Sequence, residues 1–189
     1  MNNLGTQPLQ TERLLLRRFR PEDAQAMFDN WASDPEVTKF LTWPPYQSVE
    51  DVRRYLTNLA GEYRKEDRYT WAIVLRELGQ PVGSISVAHQ DLRVNSVEVG
   101  YCVGRAWWGQ GIMTEAFSAV LDFLFDRVGV NRVTAQHDPE NPASGRVMAK
   151  CGLRKEGVLR QSARCNLGVR DVACWGILRS DRPGGNYIV

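Results

Sequence analysis

Residues 107–116 read Trp107-Trp108-Gly109-Gln110-Gly111-Ile112-Met113-Thr114-Glu115-Ala116. The preceding run, Val97-Glu98-Val99-Gly100-Tyr101-Cys102-Val103, alternates as a strand does. The following run, 112–128, puts Ala116, Phe117, Val120, Leu121, Leu124 and Val128 on one helical face. Two glycines one residue apart permit a tight turn and leave backbone N–H groups uncovered. The helix that follows points its positive end at the same spot. Strand, glycine turn and helix N-terminus together form a cradle for a phosphate or pyrophosphate. The turn lacks the Gly-Lys-Ser/Thr ending of a P-loop, so a nucleotide-binding protein fits poorly.

Working outward, residues 12–19 alternate around Leu14 and Leu16 as a first strand. Pro21, Glu22 and Asp23 open a helix carrying Ala24, Met27, Phe28 and Trp31. Asp34-Pro35 starts a short second piece, and Pro44-Pro45 forbid helix around them. Ser48 with Asp51 resembles a capping box, which predicts a helix over 49–65. Residues 69–76 and 81–89 read as a hairpin turning at Gly79-Gln80, and 96–103 as the next strand. After the 112–128 helix come a strand at 132–137 and a helix at 142–151 with Gly152 as its C-cap. Two strands near 154–163 and 169–178 close the chain. This order predicts an α+β fold, a mixed and mainly antiparallel sheet of about seven strands flanked by helices. A single domain is expected over 11–179, between a flexible N-terminus (1–10) and a flexible C-terminal tail (180–189).

A chain of 189 residues is long enough to bury a real core. Its net charge of +2 is too small to argue for nucleic acid. Arg13, Arg17, Arg18 and Arg20 read as a solvated strand face. No apolar run has the length of a membrane span, and residues 1–10 lack a signal-peptide layout. The expected location is therefore cytoplasmic. Cys102, Cys151, Cys165 and Cys174 form no CxxC pair, and His89 and His137 have no ligand-spaced neighbours. No metal site is expected.

These motifs resemble the GNAT N-acyltransferase superfamily, and within it the branch containing the ribosomal-protein alanine and serine N-terminal acetyltransferases. The resemblance rests on Thr11-Glu12-Arg13-Leu14-Leu15-Leu16-Arg17, Glu98-Val99-Gly100-Tyr101, the turn from Trp108 to Ala116, Asn141-Pro142-Ala143-Ser144 and Lys150-Cys151-Gly152-Leu153. It implies acetyl-CoA as the donor. It implies that Trp108, Gly109, Gln110, Gly111, Ile112, Met113 and Thr114 hold the CoA pyrophosphate through backbone amides. The pantetheine arm would follow Tyr101, Cys102 and Val103, where the strand splays from its neighbour, and Asn141 would hydrogen-bond that arm. The implied acceptor is a protein N-terminal amine. A small amine (an amino acid, a polyamine or an aminoglycoside) is the alternative acceptor, and a non-catalytic acyl-CoA-binding module is the alternative class. No membrane or direct nucleic-acid partner is expected, and either a monomer or a homodimer is compatible.

Amide formation needs a base for the ammonium, an N–H donor at the thioester carbonyl and a group near the departing sulfur. Glu98 is the candidate base. Its place in an apolar strand asks for a reason, which a structural pairing with an arginine would also supply. The Val103 N–H is the candidate carbonyl donor. Many superfamily members place a tyrosine where this chain has Met148, so Ser144 is the candidate group at the sulfur, against a backbone-bonding role. Asn141 has a turn role as its alternative. Trp43 and Tyr46, beside two prolines, are candidate acceptor-binding residues, against a rigid turn covering the core.

Overall fold

The computed structural model describes residues 1–182. Its centre is an eight-stranded sheet with the order β1-β2-β3-β4-β5-β6-β8-β7. The strands are β1 (Leu9–Gln10), β2 (Leu14–Arg17), β3 (Thr70–Leu75), β4 (Gln80–Asp91), β5 (Ser96–Val103), β6 (Arg132–His137), β7 (Arg154–Cys165) and β8 (Gly168–Leu178). Every pairing is antiparallel except β5 with β6. The α+β expectation holds. The strand beyond the expected seven is the two-residue β1, too short to show a period.

Period-two alternation sorts the apolar residues into two layers. From β3, Trp71 and Ile73 join one cluster, while Ala72 and Val74 join the other. The first cluster packs the sheet against α4 (Ile112–Asp122) and α5 (Pro142–Lys150), through Ala116, Phe117, Val120 and Met148. The second packs the opposite face against α1 (Ala24–Met27), the turn after it and α3 (Val49–Glu62), through Met27, Trp31, Val52, Leu56 and Leu59. Between α1 and α3 lies the short α2 (Pro35–Thr38).

The Ser48 cap forms as expected: its hydroxyl accepts from the Asp51 N–H at 3.2 Å and donates to the Asp51 carboxylate at 2.7 Å. The helix opened by Pro21 is less regular than expected. A 3-10 turn (Pro21–Asp23) leads into α1, and a π turn (Phe28–Ala32) follows it. There the Ser33 N–H reaches back five residues to the Phe28 carbonyl, a widening that periodicity does not reveal.

Arg13, Arg18 and Arg20 are exposed, as expected of a solvated face, but Arg13, Arg17 and Arg18 also hold specific partners. Arg17 forms a fork with Asp23, two bonds of 2.7 Å, and Arg18 lies over the Tyr63 ring. Arg13 likewise pairs with Glu115, whereas Arg20 is exposed and only its backbone N–H is bonded, to Asp23. Residues 1–10, expected to be a flexible arm, make specific contacts here. Thr6 is buried and donates to the Arg68 carbonyl, and the Gln7 carbonyl accepts from the Trp71 indole at 2.7 Å. Of the expected C-terminal tail, residues 183–189 lie outside the described residues, and Arg182 pairs with Asp122 and Asp126. Among the described residues, no helix is long and apolar enough to cross a membrane.

Candidate active site

β5 organises the site because it loses a neighbour halfway along. It pairs with β6 only from Ser96 to Glu98, against Arg132 to Thr134. β6 then continues along β8 as far as His137. On the other side, β4 skips a register between Val87 and His89, opposite Glu98 and Val99. A bulge of this kind bends the ladder, and here it lies where β5 and β6 part.

The open edge of β5 is chemically useful. The Gly104 N–H donates to the Val82 carbonyl. Antiparallel alternation then turns the backbone groups of Tyr101 and Val103 away from β4, toward the opening. The Val103 carbonyl is taken by the Trp108 indole at 2.8 Å, which leaves its N–H facing the opening. Trp108 therefore caps the strand edge rather than only packing beside the turn.

The glycine turn has the expected form. Gly109 and Gly111 take φ of +74° and +77°, a region that favours glycine. Gly111 is the residue before α4, and no side chain caps the first N–H groups of that helix. Ile112 and Met113 are buried in the core, so only their backbone is offered to a ligand. The Gln110 amide closes the turn on the Ala106 carbonyl at 2.8 Å.

On the α4–α5 side of β5, the Tyr101 ring packs on Phe117, 5.5 Å between centroids. Its hydroxyl donates to the Ser144 carbonyl at 3.1 Å and stands 3.0 Å from the Ser144 hydroxyl. Burial pushes the Tyr101 phenol well above its ordinary range, with the Ser144 bond opposing, so it stays protonated and works only as a neutral hydrogen-bonding group. Met148 is buried in the first core cluster and carries no proton for the site. Asn141 caps α5: its side-chain oxygen accepts from the Ser144 N–H at 3.4 Å. The turn role is thus present, and the Asn141 amide nitrogen keeps its donors for another partner.

On the opposite face of β5 lie Glu98, Gly100 and Cys102, by alternation. The Gln136 amide donates to Glu98 at 3.1 Å, so the partner is not the arginine that a structural carboxylate would call for. Burial raises the Cys102 thiol, with the nearby Ser84 opposing, which leaves it protonated. Cys102 packs in the same cluster as Trp43 and Tyr46. Those two rings lie 5.7 Å apart, and Tyr46 lies 6.3 Å from Tyr55 of α3. Burial, then Tyr55 and Asp51, pushes the Tyr46 phenol up to about 12.

Three participants were not foreseen from the sequence: Gln136, Tyr55 and Asn166. Asn166 sits in the β7–β8 turn. Its amide donates to the carbonyls of Thr38 at 2.9 Å and Trp43 at 2.8 Å, and its N–H to that of Leu41. The link spans more than 120 residues, beyond the reach of any local pattern. Asn166→Ala is expected to raise KM for the amine about five- to tenfold, the scale of one or two hydrogen bonds. KM for acetyl-CoA should stay the same. Steady-state kinetics with each substrate varied in turn checks this, and equal rises in both constants would contradict it.

A split sheet beside an uncapped helix start, with a carboxylate on one face of the slot and hydroxyls on the other, is the architecture of an acyl-thioester-dependent N-acyltransferase. The acetyltransferase (GNAT) domain family matches residues 13–154, and the chain belongs to this family of N-acetyltransferases. An uncharacterized N-acetyltransferase, p20 of Bacillus licheniformis, is 30% identical over 176 residues, 93% of this chain and 98% of that protein. The ribosomal protein uS5 alanine N-acetyltransferase of Escherichia coli (strain K12) is 25% identical over 165 residues, 82% of each chain. Among solved structures, the microcin C7 self-immunity acetyltransferase, in complex with acetyl-CoA and AMP, superposes with a TM-score of 0.79. It shares 18% identity, covering 89% of this chain and 93% of that one, so it bears on the fold alone. Enzymes of this family use acetyl-CoA.

Proposed function

We propose that this enzyme moves the acetyl group of acetyl-CoA to a protein N-terminal amine, by direct attack in a ternary complex. The parting of β5 and β6 at Glu98 carries the reading, because it joins the two faces of the sheet at one point. The glycine turn and the first N–H groups of α4 take the pyrophosphate. The open backbone of Tyr101 and Val103 and the Asn141 amide hold the pantetheine arm. Glu98, oriented by Gln136, accepts a proton from the incoming ammonium, directly or through one water. The Val103 N–H donates to the carbonyl oxygen as negative charge develops there. The Ser144 hydroxyl, 3.0 Å from that of Tyr101, turns its proton from Tyr101 to the departing sulfur.

Two observations favour an N-terminal amine over a small one. Trp43 and Tyr46 are only half-buried and Tyr55 is exposed, so the acceptor face is an open aromatic shelf rather than an enclosed pocket. The relative from Escherichia coli is an alanine N-acetyltransferase of ribosomal protein uS5, which has a protein as its acceptor. Residues 11–179 act as one catalytic domain in this reading.

The test is thiol release with acetyl-CoA on a panel of unblocked peptides, the same peptides N-acetylated, amino acids, polyamines and aminoglycosides. Thermal shift with acetyl-CoA, and with ATP as control, is read in the same plate. A shift with acetyl-CoA alone and release only on unblocked peptides is the expected result. Release on a small amine and on no peptide would overturn the acceptor while keeping the donor site. A shift without release on any member would favour a binding module.

A further inference from the structure

The opening motif, Thr11-Glu12-Arg13, has no part in the transfer so far, yet it is tied to the glycine turn. Glu115 occupies the first turn of α4, where a carboxylate suits the helix dipole but opposes any anion bound at the same end. That carboxylate is fully engaged. One oxygen accepts from the Thr11 hydroxyl at 2.5 Å and from the Arg13 N–H at 3.0 Å, and the other from Arg13 Nε at 2.7 Å. The same guanidinium donates through Nη1 to the Gln110 carbonyl at 3.0 Å, between the two glycines of the turn. Its Nη2 lies 3.5 Å from where a Cβ on Gly111 would stand. The Glu115 side chain is 20% exposed and that of Arg13 43%, so water screens the pair in part. Burial works to raise the Glu115 carboxyl, but the bonds from Thr11 and Arg13 outweigh it and hold the group below its usual range.

We propose that Arg13 is a positioning residue for the CoA pyrophosphate. Its guanidinium cancels the Glu115 charge beside the bound anion, and it pins the turn through the Gln110 carbonyl. The inference rests on the reading of the turn as the pyrophosphate site. The opening motif then has a function of its own, since it makes a carboxylate that anchors α4 to the first strands compatible with an anion at the tip of that helix.

Binding of acetyl-CoA and of acetyl-pantetheine, which lacks the pyrophosphate, is measured by calorimetry for the wild type, Arg13→Met, Glu115→Gln and the double variant. Arg13→Met is expected to weaken acetyl-CoA roughly tenfold to hundredfold, the scale of an unpaired charge-assisted bond, and to leave acetyl-pantetheine unchanged. In kinetics the loss falls mainly on KM for acetyl-CoA, with a smaller fall in kcat. Glu115→Gln keeps one oxygen for the Thr11 hydroxyl and the Arg13 N–H, gives up the bond from Arg13 Nε and removes the negative charge, which leaves the guanidinium free to face the anion, so it should bind acetyl-CoA at least as tightly as the wild type. The double variant should recover part of the loss. Equal weakening of both ligands by Arg13→Met, or weaker acetyl-CoA binding by Glu115→Gln, would reduce the network to a structural staple. Because Glu115→Gln stands alone, this holds even where Arg13→Met fails to fold. A wild type that binds both ligands equally would instead remove the pyrophosphate reading itself.

Discussion

Glu98→Gln is expected to lower kcat about 10²-fold, the low end of what general-base catalysis contributes. The low end follows from the acceptor. An N-terminal amine has a pKa near 8, so a useful fraction is already neutral at physiological pH. The penalty should therefore shrink as the pH rises toward about 9, where free amine no longer limits the reaction. It should grow for a lysine-like amine, whose pKa near 10.4 leaves far less in the neutral form. Thiol release over a pH series, with one peptide and one lysine-like acceptor, checks both trends. The geometry supports this role: Glu98 stands at the last paired position before β5 and β6 separate and is met by an amide. A variant with unchanged kcat and a lowered melting temperature would make Glu98 a structural carboxylate instead.

Gly104→Ala is expected to produce the largest loss of stability of any single methyl added near the site. A Cβ at residue 104 would collide with the Asn30 carbonyl oxygen and stand 2.7 Å from the Trp107 ring. Neither neighbour is a flexible side-chain tip. Asn30 belongs to the π turn after α1, and its amide is tied to the Pro81 carbonyl at 2.8 Å. Trp107 packs against the first core cluster. Overpacking of this kind costs about 3 kcal/mol, the upper end of the usual range. For a domain of this size that is a fall in Tm of about 6–12 °C. The same strain would displace the end of β5 and so the Val103 N–H, and turnover should fall even below the melting transition. Calorimetric unfolding and kcat at low temperature test the two parts. A Tm within about 1 °C of the wild type would show that the α1 end yields easily.

The local signals at Gly109, Gly111, Ser48 and Gly152 were legible because each is a backbone or capping requirement satisfied within a few residues. Left-handed φ at Gly109, Gly111 and Gly152 and the Ser48 cap all appear in the structure. Alternation likewise placed Glu98 and Tyr101 on opposite faces of β5 without any knowledge of what those faces meet. The open turn before α4 was equally readable, since a glycine ahead of an apolar helical face leaves the first amides uncapped.

What the residues meet across the sheet had no local signature. Gln136 reaches Glu98 only because β6 runs parallel to β5 there. Tyr101 finds Ser144 only because α5 packs beside α4 over the same strand. Asn166 latches the Thr38–Trp43 segment across 128 and 123 residues. Arg13 looked like one charge of a solvated face until the fold brought Glu115 against it, 102 residues away. Backbone conformation and amphipathic period depend on near neighbours, so the chain alone determined the main elements, their order and the glycine turn, though not the two-residue β1 or the π turn after α1. Pairings between elements depend on how the sheet closes its loops, so the tertiary structure alone decided which partner orients each acid, hydroxyl and guanidinium of the site.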